Sequence, residues 1–217
     1  MKAKRVNYRV AAALTLVEVL VVIAVIGVLF AVFINAVSHN RFRPTWVKCT
    51  NNLKAIGLSF RIFANDHGDA FPMTVSTNNG GSMESVTTGE VFRHFRAMSN
   101  ELGTPKVLVC PADNRKAALI FSVLSNVKIS YFVGANAADT LPQSFQAGDR
   151  NLTTNSVPLG TGLLDLTTNV TVGWTAALHK HSGNVVLGDG SVQQFTNARL
   201  QEQSAHSGVA TNRLLIP

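Results

Sequence analysis

Charge is scarce in this chain: 14% of its 217 residues are Asp, Glu, Lys or Arg, against 46% hydrophobic. Cysteine is scarcer still, with Cys49 and Cys110 the two in the sequence. Neither has a second cysteine nearby, which excludes the usual paired zinc-ligand arrangement. If the domain lies outside the cytoplasm, a disulfide between them is permitted; two separate buried thiols are the alternative. The net charge of +7 is not a nucleic-acid signal. Lys2, Lys4, Arg5 and Arg9 supply four of the positives, and from Leu14 onward 15 basic residues face 12 acidic ones, about +3. No basic stripe with interleaved aromatics follows, so nucleic acid is not an expected partner. No internal repeat stands out.

What the chain does have is a long apolar run. From Val10 to Val37 the polar residues are Thr15, Glu18 and Asn35, and Val19 to Ile34 has none. A bilayer crossing needs about 20 apolar residues. The basic start then puts residues 1–9 in the cytoplasm and the rest outside, a single-pass protein of the inner membrane with a periplasmic or extracellular C-terminal domain. A secretory signal cleaved behind the apolar core fits poorly. The small residues Ala11-Ala12-Ala13 precede the run, and Ser38-His39-Asn40-Arg41 behind it is no cleavage site.

The stretch "A-LTLVEVLVVIAVIGVL" from Ala13 resembles the class III signal of type IV prepilins and type II secretion pseudopilins. The resemblance implies a leader, 1–13, removed between Ala13 and Leu14 by a prepilin peptidase. It also implies N-methylation of Leu14, and an assembly role for the glutamate at mature position five, which is Glu18. In this family glycine precedes the cut; Ala13 departs from that. An intramembrane carboxylate is costly unless paired or protonated. The α-amine freed at Leu14 would lie at nearly the same depth and would neutralise Glu18, in its own chain or a neighbour. Solvation of Glu18 by headgroups is the simpler alternative.

Residues 14–43 are thus expected as a transmembrane and assembly helix, and 44–217 as the outer domain. Pro44 should break or kink the helix. Helical spacing resumes in Trp46, Cys49, Leu53, Ile56, Phe60 and Phe63, predicting an amphipathic helix over 45–65. A Thr/Ser/Asn/Gly-rich linker follows over 74–89, then a helix over 90–102. Strands are predicted over 106–110, 128–133 and 170–174. A hairpin, 184–187 and 191–195, flanks "GDG", and a short helix covers 197–203. The fold class is α+β, pilin-like: a long N-terminal helix, transmembrane then amphipathic, packed on a small antiparallel sheet, each covering the other.

The resemblance extends further. "KCTNNLKAIGLSFRIFANDHGDAFP" (48–72), "VLVCPAD" (107–113) and "GDRNLT" (148–153) resemble pilin-like proteins with an H-X9-DG element, common in planctomycete and verrucomicrobial bacteria. The element is His179, nine residues, then Asp189-Gly190. His179, His181, Asp189 and Asp149 could ligate a metal, since His-x-His on a strand puts both rings on one face. A structural hairpin explains the element more simply: Asp189 bonds the turn, Gly190 supplies its backbone angle, and no metal is required. Calcium stays weakly open, without a loop of oxygen ligands to hold it.

No catalytic set emerges. Ser191 and His179 lack a third orienting group, "GDGSV" is not G-x-S-x-G, and "GANA" and "GTG" are too short to cradle phosphate. The sequence therefore points to a non-enzymatic subunit of a type II secretion pseudopilus or a type IV pilus-like filament. The pseudopilus is preferred because the domain is small and lacks an obvious C-terminal disulfide loop. Expected partners are the prepilin peptidase, like subunits and other pseudopilins, the inner-membrane assembly platform and the membrane itself. The rival is an uncleaved, signal-anchored surface protein binding carbohydrate or metal.

Overall fold

In the computed structural model, which describes residues 15–38, 42–167 and 169–217, the chain divides into two units, 1–42 and 43–217. The leader, Ala13 and Leu14 lie outside the described residues. The first unit holds α1 (Leu16–Ser38), 23 residues with Glu18 in its first turn. Its large apolar side chains from Leu16 to Phe30 are exposed on all sides. Its side chains are described as far as residue 31. Among the described residues, no helix is long and apolar enough to cross a membrane.

The second unit starts from α2 (Phe42–Asp66). Pro44 is the third residue of α2, in the first turn, where amides have no partner within the helix and a missing one costs little. The stripe predicted from spacing is buried: Cys49, Leu53, Ile56 and Phe60 are at 0% exposure and Phe63 at 2%. Behind it come α3 (Val91–Ala97) and α4 (Ser99–Leu102), where one helix was expected. Met98, at φ −99° and ψ 27°, breaks the run between them.

The main sheet is antiparallel, in the order β5-β9-β1-β2-β7-β8. Its strands are β1 (Tyr131–Gly134), β2 (Phe145–Asp149), β5 (Gly162–Leu166), β7 (Ser182–Leu187), β8 (Val192–Thr196) and β9 (Asn212–Ile216). A smaller sheet runs β4 (Val157–Pro158), β3 (Leu152–Thr154), β6 (Val172–Trp174). Helix α5 (Asn197–Ala205) follows β8 and is capped by Thr196 Oγ1, which accepts from the Arg199 amide. The class is therefore α+β with antiparallel sheets.

A one-layer sheet covered by one helix was expected. The observed sheet is buried on both faces. Tyr131, Val133, Ala147, Val186 and Leu215 join the stripe of α2 and the residues Val91, Phe95 and Met98. Their strand neighbours Phe132, Val185, Leu187, Leu214 and Ile216 join Trp174, Leu152, Phe195 and Leu200 beneath. Successive residues of one strand thus feed two cores, as the two-residue period demands.

Two other expectations change. Residues 106–110 form no strand. Pro105 opens a 3-10 turn, Pro105–Leu108, capped by Thr104 Oγ1, which accepts from the Lys106 amide. The polar stretch 74–89 is no free linker. The Glu84 carboxylate accepts from Ser76 Oγ (2.7 Å) and the Thr77 amide (2.9 Å), while Ser82 Oγ donates to the Pro72 carbonyl (3.0 Å) and meets His94 Nδ1 (2.7 Å). Its short polar side chains satisfy its own backbone, which allows an irregular segment to pack.

One close approach sets the spacing between α2 and the sheet. A Cβ on Gly57 would lie 2.7 Å from Val186 Cγ2 of β7.

Candidate functional site

Glu18 has a local partner that its spacing to Leu14 does not disclose. Thr15 immediately precedes α1. The Thr15 amide and hydroxyl both donate to Glu18 Oε2, at 2.7 and 2.9 Å, and the Glu18 amide donates to Thr15 Oγ1 at 3.3 Å. This is a capping box, T-x-x-E, in which cap and third residue satisfy each other's free amides. The signature stood in the sequence as Thr15-Leu16-Val17-Glu18.

The H-X9-DG element spans β7. At its far end, Gly188-Asp189-Gly190 form a three-residue hairpin loop. The Gly190 amide donates to the Leu187 carbonyl (2.8 Å), the Leu187 amide to the Ser191 carbonyl (2.9 Å), and Gly190 sits at φ +80°. That is a type I turn closed by a glycine bulge. Asp189 Oδ1 accepts from the Ser191 amide at 2.8 Å. From α2, Arg61 reaches the loop, donating to the Gly188 carbonyl (3.3 Å) and pairing with Asp139 (3.0 Å).

His179 lies before the other end of β7. A six-residue strand separates it from Asp189, so the two are roughly 17 Å or more apart along the chain and cannot share an ion. Nor do His179 and His181 face one way on a strand. Both precede β7, with Lys180 at φ +53° and His181 at φ +61°. These two left-handed residues turn the chain so that His179 is buried, at 8% exposure, while His181 is exposed. His181 Nδ1 contacts the Trp174 carbonyl at 3.2 Å.

His179 instead joins a buried cluster drawn from four segments. Cys49 of α2 is disulfide-bonded to Cys110, which follows the turn at Pro105–Leu108. His179 Nε2 lies 3.3 Å from Cys110 Sγ and 3.4 Å from Asp149 Oδ2 at the end of β2. Among the described residues, Cys49, Cys110 and His179 form a group whose ligand atoms all lie within 4.8 Å of one another. The Trp46 ring packs edge-on to the imidazole, centroids 4.5 Å apart.

Burial dominates the electrostatics of the cluster. Burial pushes the Asp149 carboxyl up to about 7, against the pull of two hydrogen bonds from Asn184. Those bonds, from the Asn184 amide (2.7 Å) and Nδ2 (3.0 Å), both fall on Oδ2. Oδ1 is buried with no hydrogen-bond partner. Burial also pulls the His179 imidazole below its ordinary range, which disfavours its charged form beside Asp149. Beside the cluster, Arg150 donates two bonds to Asp113, both 2.8 Å.

Four quoted motifs thus meet here: Cys49 from the stretch 48–72, Cys110 and Asp113 from "VLVCPAD", Asp149 and Arg150 from "GDRNLT", and His179 from the H-X9-DG element. Their convergence, and the parts of Trp46 and Asn184, were not legible from spacing, because the contacts bridge as many as 133 residues, from Trp46 to His179. Comparison with known protein families, characterised proteins and solved structures finds no match.

Proposed function

We propose that this chain is a pilin-like structural subunit. It would be inserted in the inner membrane, processed by a prepilin peptidase, and assembled into a type II secretion pseudopilus or a type IV pilus-like filament. One observation carries the proposal. A basic leader ends in small residues, an apolar Leu14 follows, and the sole carboxylate of the apolar run falls at the fifth position after that junction. A helix apolar on every side needs lipid or neighbouring helices around it, since water is a poor solvent for all its faces. In the proposed filament, helices of neighbouring subunits supply that surrounding, and the outer domain forms the surface. Thr15 engages Glu18 through Oε2; in the proposed filament the charge of the same carboxylate meets the α-amine of Leu14 in a neighbouring subunit.

The decisive measurement is the N-terminus of the chain extracted from membranes of cells with active prepilin peptidase. The expected mature chain begins at N-methylated Leu14. Intact Met1 in those cells would sink the filament proposal and leave an anchored surface protein in its place.

A further inference from the structure

We propose that the disulfide is one of two states of a metal site: once reduced, Cys49, Cys110 and His179, with Asp149 as fourth ligand, bind zinc. This inference does not depend on the filament proposal.

Donor type and distance both favour it. Two thiolates, an imidazole and a carboxylate are a set that zinc accepts in tetrahedral geometry. Bonds of about 2.0–2.3 Å to such ligands give a tetrahedron whose edges are about 3.3–3.8 Å. The edges already present fit: 3.3 Å from His179 Nε2 to Cys110 Sγ and 3.4 Å from Nε2 to Asp149 Oδ2. The bonded pair of sulfurs does not, and Asp149 lies outside the group of three whose donor atoms are all within 4.8 Å of one another. Reduction parts the sulfurs, and the Asp149 carboxylate has to close on them as the ion binds.

A second observation points the same way. Asp149 is wholly buried, yet its Oδ1 has no hydrogen-bond partner. A buried polar atom without a partner is costly, and a bound cation beside the carboxylate offsets that cost. The outer contacts of a metal site are also present. Asn184 holds Asp149 Oδ2 by two bonds, and Trp46 packs against the His179 ring. Groups of this kind orient ligands.

The chemistry balances with a dithiol reductant. Its two thiols reduce the Cys49–Cys110 disulfide to two thiols and themselves become a disulfide, a transfer of two electrons and two protons. Zinc then binds both sulfurs as thiolates and releases their two protons to solvent. Reoxidation by a small-molecule disulfide, which takes the two electrons and leaves as two thiols, expels the ion, because the sulfurs that join each other can no longer both ligate it.

The test uses the full-length chain in detergent, with disulfide intact or reduced anaerobically by a phosphine, titrated with Co2+ and then Zn2+. The reduced chain is expected to take up one Co2+, with thiolate-to-cobalt charge-transfer and tetrahedral ligand-field bands, and to exchange it for Zn2+. The oxidised chain is expected to show neither. Cys49→Ser and His179→Ala should each weaken binding by roughly 10–100-fold or more, and Asp149→Asn by about 10-fold or more. His181→Ala should leave it unchanged. Circular dichroism of oxidised His179→Ala controls for loss of fold. Absence of a one-to-one thiolate–cobalt spectrum in the reduced chain overturns the inference. So does an unchanged spectrum and affinity in a folded His179→Ala chain.

Discussion

Glu18 now has two explanations that act on different atoms and properties. As the third residue of a capping box it needs an oxygen that accepts from the Thr15 amide. As an assembly contact it needs a negative charge. Glutamine keeps the first and removes the second. Glu18→Ala and Glu18→Gln are both expected to leave cleavage and membrane insertion intact and to reduce incorporation into filaments, assayed by shearing and immunoblotting. Full assembly of the glutamine variant would show that helix capping alone accounts for the residue. The T-x-x-E signature was plain in the sequence, but the resemblance to prepilins drew Glu18 toward its partner in another subunit. For His179, sequence reasoning grouped it with Asp149, which does lie beside it, and with His181 and Asp189, which do not. His181 and Asp189 are near it in the chain and apart in space, because two left-handed residues and a whole strand intervene.

Among the elements, α2 was the most legible. Its apolar stripe has a period of three to four residues, and that period survives in the burial of Cys49, Leu53, Ile56, Phe60 and Phe63. The hairpin of β7 and β8 was legible for a different reason: "GDG" is turn chemistry, and its bulged loop has few alternatives. Strand β2 and the end pieces 105–108 and 74–89 were not. Every residue of β2 is buried, so it shows no alternation to read. The other two are stabilised by capping side chains rather than by a repeating pattern. Gly57 is an exception within α2, a poor helix former held at a close approach. Gly57→Ala should gain about 1 kcal/mol in helix propensity and lose about 1–3 kcal/mol in forced repacking against Val186. The expected net effect is a loss of up to about 2 kcal/mol in the urea unfolding free energy. A net gain would show that β7 yields to the added methyl.

For the molecule as a whole, the disulfide is the longest covalent reach, joining residues 61 apart in sequence. It ties α2 to the irregular segment that precedes β1. Closing a loop of that length removes conformational entropy from the unfolded chain worth about 4 kcal/mol. The Cys49→Ala/Cys110→Ala double variant is therefore expected to unfold at a clearly lower urea concentration than the oxidised wild type, and close to the reduced, metal-free wild type. Equal midpoints for the oxidised wild type and the double variant would show that the bond constrains little. The α+β class was readable from the sequence, because a helical period and turn-bounded strands are local signals. The two-sided burial of the sheet was not, since it depends on which distant segments arrive to cover each face.

The six residues of β7 also act as a parity check on the chain. Val186 serves the core under α2, while Val185 and Leu187 serve the opposite one. Losing or adding a single residue between His179 and Asp189 would exchange those duties, turning each apolar side chain toward the core built for its neighbour. Two residues would restore the faces but slide the Gly188–Gly190 loop off Arg61. The count of nine in H-X9-DG is thus a registration mark between a buried histidine and a clamped loop, and its arithmetic holds whatever the outer surface goes on to touch.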